Sequence, residues 1–205
     1  MAGVRVSRET IDRLELYFDR LLKWSDAINL ISPTSKVDAW RRHIIDSAQL
    51  FAYRDDDVRR WCDLGSGGGL PAVVNAIIAK ELAPDVQFVL AESDKRKASF
   101  LRIVIEELNL NAGVECGRIE DLPGQEANLV SARALAPLDL LLQYVELHMR
   151  QDGYALLMKG RQYANEISAA RQNWGFDLEV IGSKVDPDSR ILRITQIHRM
   201  QGARK

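Results

Sequence analysis

An α/β fold with a mostly parallel sheet is what this sequence of 205 residues predicts, and three observations predict it. From Val58 onward strand-like and helix-like stretches alternate, the pattern of parallel strands joined by crossover helices. A glycine-rich run, Asp63-Leu64-Gly65-Ser66-Gly67-Gly68-Gly69-Leu70-Pro71, stands between the first such strand and the first such helix. Near the end of the chain, two apolar stretches flank the turn Asp186-Pro187-Asp188-Ser189 and read as a hairpin.

Two helices precede the sheet. The first runs from about Ser7 to Ile28, with Ile11, Leu14, Phe18, Leu21, Leu22 and Ile28 at helical spacing and Ser7 placed to cap. The second runs from about Lys36 to Phe51, where Ser35 and Asp38 form a capping-box signature after Pro33. Val58 to Cys62 then suits a short buried strand, and Pro71 to Leu82 a helix with proline in its first turn. The alternation continues with a strand Val86–Glu92, a helix Asp94–Leu108, and strands Gly113–Arg118 and Asn128–Ala132. A helix Leu138–Arg150, a strand Tyr154–Met158 and a helix Ala164–Asn173 follow, before the hairpin strands Leu178–Val185 and Ile191–His198. The organisation expected is one domain over residues 1–205, with an N-terminal helical extension (1–55) on a sheet core (56–205).

The glycine run reads as part of a nucleoside-cofactor pocket. In a strand-to-helix turn, missing β-carbons let backbone approach a ligand closely, and the following helix presents unpaired N–H groups. Glu92, at the end of the next strand, is placed to accept hydrogen bonds from ribose hydroxyls. A dinucleotide loop would need glycine where Leu70 stands, and a P-loop would need lysine and a hydroxyl residue where the helix starts Leu70-Pro71-Ala72. What remains is Asp63, Gly65, Gly67 and Gly69 in alternation, which resembles the first motif of S-adenosylmethionine-dependent methyltransferases, a class with a Rossmann-like seven-stranded sheet ending in an antiparallel hairpin.

Composition sets bounds on partners. No apolar run approaches the roughly 20 residues of a membrane span and the N-terminus lacks a signal-peptide core, so a cytoplasmic protein with no membrane partner is expected. A net charge of −1 argues against nonspecific coating of nucleic acid, while local basic clusters occur at Arg41-Arg42-His43, at Lys95-Arg96-Lys97 and in the tail Arg199, Arg204 and Lys205. Cys62 and Cys116 read as buried reduced thiols, Trp24 as core, and no cluster of metal ligands stands out.

Elimination narrows the methyl acceptor. The fourth strand is followed by Arg133-Ala134-Leu135-Ala136-Pro137 in place of the acid-or-amide-Pro-Pro-aromatic loop common in amino-group methylation, and neither cysteine sits at a strand end as a nucleophile for pyrimidine carbon-5. A nitrogen with a lone pair, such as guanine N7, needs no base, only alignment in a dry pocket.

The ordered set Lys23-Trp24, Asn29-Leu30, Arg42-His43-Ile44-Ile45-Asp46-Ser47, Asp63 to Pro71, Glu92-Ser93, Arg96-Lys97, Phe100-Leu101, Arg118-Ile119-Glu120, Ser131-Ala132-Arg133-Ala134 and Lys159-Gly160 closely resembles the RsmG (GidB) family of bacterial 16S rRNA guanine-N7 methyltransferases, over nearly the whole chain. The resemblance implies S-adenosylmethionine as cofactor and 16S rRNA of the small ribosomal subunit as partner, for a protein expected to be a monomer. It places Gly65, Leu70, Ile119, Glu120 and Arg133 at the cofactor, Glu92 at the ribose, and Lys159 and Arg190 on the RNA side. Asp63, Gly67 and Gly69 complete the expected cofactor loop, Arg133 is the expected catalytic residue, and His43, Arg96 and Lys97 are further candidates for RNA contact. His43 and Asp46, three residues apart on a helix, could equally pair with each other. Ala72 and Ser25 depart from the family's usual glycine and asparagine. Two other functions fit the loop: methylation of a small molecule or protein, and a non-catalytic ribosome-assembly factor that retains the pocket.

Overall fold

A computed structural model of the chain describes residues 3–31 and 38–200. The expected helix start at Lys36, its cap at Ser35 and Pro33, and the tail residues Arg204 and Lys205 lie outside the described residues. Seven strands form one sheet among the described residues: β1 (Arg60–Leu64), β2 (Gln87–Glu92), β3 (Ala112–Cys116), β4 (Ala127–Arg133), β5 (Met149–Lys159), β6 (Trp174–Gly182) and β7 (Arg190–Arg199). Their order is β3-β2-β1-β4-β5-β7-β6, with parallel pairing from β3 to β5 and antiparallel pairing of β7 with both β5 and β6. The order in which the chain adds strands reverses between the parallel neighbours β1 and β4, so the crevice at their carboxyl ends is where a ligand binds in such a sheet.

Helices cover both faces. On one side α1 (Arg8–Ile28), α3 (Ala72–Leu82) and α4 (Lys95–Glu107) bury a core that includes Tyr17, Leu21, Trp61, Ile77, Phe88 and Phe100. On the other, α5 (Leu138–His148) and α6 (Tyr163–Ala170) pack on Leu64, Val130, Leu157 and Trp174. The central strands β1, β2 and β4 are buried nearly throughout because helices cover both of their faces. Ser7 caps α1 by accepting from the Thr10 amide at 3.3 Å, and Asp94 caps α4 by accepting from the amides of Arg96 and Lys97.

Several expectations need correction. The second helix is not a regular α-helix: it is a π-helical turn (Trp40–Ile45), a short α2 (Asp46–Ala48) and a 3-10 turn (Gln49–Tyr53) in succession. β1 extends two residues further than Cys62, so Asp63 and Leu64 are strand residues. α5 stops at His148, and Arg150, expected in the helix, already belongs to β5, whose Met149 pairs with Ala127 across a bulge. β6 starts at Trp174 rather than Leu178, since Trp174 and Phe176 alternate inward as a half-buried strand requires. Cys62 is buried, but Cys116 is exposed, because β3 is the edge strand and turns little of its surface inward. Trp24 is half-buried and packs on Phe100 with ring centroids 5.6 Å apart.

Candidate active site

At the carboxyl ends of β1, β2 and β4, short polar contacts hold the glycine turn. Asp63, with 1% of its surface exposed, accepts from the Ser66 and Ser131 hydroxyls, each at 2.6 Å, and Ser131 in turn accepts from the Trp61 indole N–H at 2.8 Å. Burial pushes the Asp63 carboxyl up to about 6, and the two hydroxyl donors offset only part of that. Gly65 and Gly67 take φ of +67° and +56°, backbone that residues with a β-carbon rarely adopt. Glu92 clamps this turn to β2: its Oε2 accepts from the Gly67 amide and its Oε1 from the Asp94 amide, both at 2.8 Å. From the other side Tyr17 of α1 donates its hydroxyl to the Gly68 carbonyl at 2.7 Å.

This turn faces a cavity of about 360 Å³ lined by Gly65, Gly67, Glu92, Ile119, Glu120 and Arg133. Those six are expected cofactor residues, and the structure brings them together. It does not bring three others to the cavity. Asp63 lies behind the turn in its serine cradle. Gly69, at φ +90°, backs onto Val73, whose Cγ2 would lie 2.4 Å from an added β-carbon; Leu70, 5% exposed, turns into the core under α1. Missed by sequence reasoning were Ser93, Arg118, Leu135 and Tyr144, which also line this cavity.

A second cavity, about 710 Å³, adjoins the first, and Arg133, Ala134 and Leu135 line both. Its walls include Arg42, His43 and Asp46 from the π-turn and its exit, and Lys159, Ser183, Asp186 and Arg190 from β5 and the β6–β7 turn. His43 and Asp46 both face Arg133, whose Nη2 lies 3.2 Å from His43 Nδ1 and whose Nη1 lies 3.8 Å from Asp46 Oδ2. Burial, then the neighbouring charges of Arg133 and Arg42, push the His43 imidazole down to about 4. Burial raises the Asp46 carboxyl, opposed by the Arg133 charge.

The expected RNA-side residues separate. Arg190 lines the large cavity with its guanidinium over the Tyr163 ring. Arg96 is exposed and Lys97 half-buried at the start of α4, and Lys97 lines the smaller cavity. Lys159 is buried at 8% exposure, and its ammonium donates to Glu166 Oε2 and the Ala136 carbonyl, each at 2.6 Å. Its charge is therefore engaged inside the protein, where it ties the segment after β4 to α6.

Comparison with known proteins agrees with this architecture. Solved structures that share the fold include a SAM-dependent methyltransferase from Aquifex aeolicus (TM-score 0.58, 11% identity, 81% of this chain and 95% of that one). Another is Aeropyrum pernix fibrillarin with natively bound S-adenosyl-L-methionine (TM-score 0.52, 15% identity, 67% of this chain and 66% of that one). At the level of sequence, the ribosomal RNA small subunit methyltransferases G of Cereibacter sphaeroides (strain ATCC 17025) and Paracoccus denitrificans are 49% and 48% identical, over 94% and 93% of this chain and 92% and 96% of theirs. The model of the GidB family, rRNA small subunit methyltransferase G, matches residues 10–186, which span the α1 anchor, the glycine turn and the Arg133 wall alike. With that match laid over a Rossmann-like methyltransferase sheet, the chain belongs to the GidB family of S-adenosylmethionine-dependent methyltransferases.

Proposed function

We propose that this chain transfers a methyl group from S-adenosylmethionine to N7 of a guanine in 16S rRNA of the small ribosomal subunit, acting as a monomeric cytoplasmic enzyme. The observation that carries the reading is the wall Arg133-Ala134-Leu135, common to a cofactor-sized cavity and a larger one open to the basic residues Arg42 and Arg190.

The smaller cavity suits the cofactor. An added β-carbon at Gly67 would meet nothing nearer than the Gly65 carbonyl at 3.9 Å, so the backbone there borders open space that a ligand can enter. Glu92 would hold the ribose hydroxyls, Ile119 with Glu120 the adenine, and Gly65 and Gly67 the methionine portion by close backbone approach. The bound cofactor supplies an electrophilic methyl on a sulfonium.

What this chain's residues contribute is alignment and exclusion of water. Efficient general bases have a pKa near the working pH, and His43, held down to about 4, falls well short of that. Asp46 faces a guanidinium. A neutral acceptor nitrogen with its own lone pair needs neither, and Arg133 is placed to orient it beside the methyl. Support for rRNA as substrate comes from the relatives, which are named ribosomal RNA small subunit methyltransferases. The test is to incubate the protein and cofactor with small subunits and with naked rRNA from a strain lacking the gene, then map N7-methylguanosine by chemical cleavage. Cleavage at a single guanine is expected; transfer elsewhere or none would overturn the reading.

A further inference from the structure

The large cavity holds a donor and an acceptor side by side, and their order relative to the cofactor cavity is informative. Arg133 borders both cavities, whereas Asp46 borders only the larger one. Moving away from the cofactor, the wall therefore presents a guanidinium and then a carboxylate. Arg133 Nη1 and Asp46 Oδ2 are 3.8 Å apart, beyond hydrogen-bond length, with side chains 20% and 15% exposed.

Both groups are held from behind. Asp46 Oδ1 accepts from Gln49 Nε2 at 2.7 Å and from the Ser183 hydroxyl at 3.4 Å, which leaves Oδ2 turned toward Arg133. The Arg133 fork is oriented by His43 Nδ1 and by the Arg42 carbonyl, 3.3 Å from Nη1. His43 and Arg42 belong to the π-helical turn, a local widening that recurs at functional sites. Here it brings a ring nitrogen and a main-chain carbonyl to bear on one guanidinium.

Around the perimeter of guanine, N7, the O6 acceptor and the N1–H donor follow one another, with O6 at the corner shared by the two edges. Resting on the guanine-N7 reading above, we propose that Arg133 donates to O6 and Asp46 accepts from N1–H, so that this pair reads the base and turns N7 toward the cofactor cavity. Adenine offers the opposite pattern, an N6 amino donor against Arg133 and an N1 acceptor against Asp46, and both contacts are repulsive. Burying a guanidinium and a carboxylate together also keeps the reading surface neutral overall, as suits an uncharged base. Asp46 is then a specificity-determining residue that touches the acceptor and not the cofactor.

The experiment compares wild type with Asp46→Asn, which keeps the volume and changes the acceptor pattern. The substrates are rRNA transcripts carrying guanosine, inosine or adenosine at the position mapped as methylated. Wild type should methylate inosine, which keeps O6 and N1–H, with a kcat/KM like that of guanosine, and leave adenosine unmodified. Asp46→Asn should lose about 10- to 100-fold in kcat/KM on guanosine and inosine alike. Its calorimetric affinity for S-adenosylmethionine should match wild type. A variant with wild-type kcat/KM, a parallel loss of cofactor affinity, or inosine as poor as adenosine for the wild type would each overturn the edge reading. If wild type forms no N7-methylguanosine on the guanosine transcript, the functional reading itself fails; if it does and Asp46→Asn is indifferent, only the role of Asp46 fails.

Discussion

The Tyr17 hydroxyl of α1 reaches the Gly68 carbonyl of the glycine turn at 2.7 Å, 51 residues along the chain, and joins the N-terminal extension to the cofactor site. Both ends of this bond are buried, and Leu21 and Leu30 close over Gly68. Removing the donor leaves a carbonyl that water cannot reach. Tyr17→Phe should therefore cost about 1–3 kcal/mol of stability, the desolvation penalty of an unsatisfied buried group. Urea denaturation measures the loss, and calorimetry with S-adenosylmethionine should show weaker binding as the turn loosens. An unchanged midpoint would mean that α1 packs on the sheet without bracing the loop.

Glu92 offers a sharper test of the cofactor site. Its two carboxylate oxygens fix the amides of Gly67 and Asp94, so Glu92→Ala removes both the proposed ribose acceptor and the clamp on the turn. The expected loss is at least about 1–3 kcal/mol of cofactor affinity. Gly65→Val should lose as much for a different reason. Its β-carbon would sit 2.5 Å from Leu135 Cδ1, at a φ of +67° that valine resists. Calorimetry on both variants, each checked for folding, distinguishes a broken pocket from an unaffected one.

Phosphate contact and internal pairing separate the basic residues. Replacing Arg96, Lys97 and Arg190 with alanine should weaken rRNA binding and flatten its dependence on salt, because each lost phosphate contact removes a released counterion. Lys159→Met should leave the salt slope unchanged and lower stability instead, by up to about 3 kcal/mol, since Glu166 loses a charge-assisted partner. Filter binding across a salt series with denaturation in parallel reads both. A flattened slope for Lys159→Met alone would put its ammonium on the RNA.

Stability should also depend on pH through Asp63. Its folded pKa, about 6, lies above the ordinary 3.8, so the folded state binds this proton more tightly than the unfolded state does. The stabilisation it confers is fully present below about pH 4 and is lost as pH rises through about 6, a swing of roughly 3 kcal/mol at 1.36 kcal/mol per unit. Asp63→Asn has no such proton. The difference in unfolding free energy between variant and wild type should therefore shift in the variant's favour between pH 4 and 7, and a constant difference would mean that Asp63 titrates normally.

The parts of the site legible in the sequence were those set by local spacing. Gly65, Gly67 and Glu92 follow from a strand-turn-helix followed by a strand, and that pattern is enough to bring them to one cavity. Leu70 adjoins the turn in sequence, but its side chain packs into the core, so whatever it offers a ligand comes from its main chain. The setting of Arg133 was illegible for another reason. Its partners lie some ninety residues earlier, Arg42 and His43 on a π-turn and Asp46 just past it, and a 3.6-residue periodicity cannot register that widened pitch. The burial of Lys159 is not legible locally either, because nothing near it in the chain announces that α6 returns Glu166 to its ammonium.

The base-free mechanism makes a prediction about rate. Burial and two neighbouring arginines hold His43 near 4, so between about pH 6 and 9 it stays neutral and adds no limb to the profile. Single-turnover methyl transfer should accordingly be nearly flat across that range. His43→Ala removes one of the two groups that orient the Arg133 fork, so it should lower the rate and leave the profile flat. Arg133→Ala should lower the transfer rate by a larger factor than it weakens cofactor binding, because orienting the acceptor is felt at the transition state more than in the ground state. A log-linear rise of rate with pH through neutrality, abolished by His43→Ala, would sink this account. The acceptor would then be an atom that must lose a proton before it attacks, and His43 would be the residue that takes it.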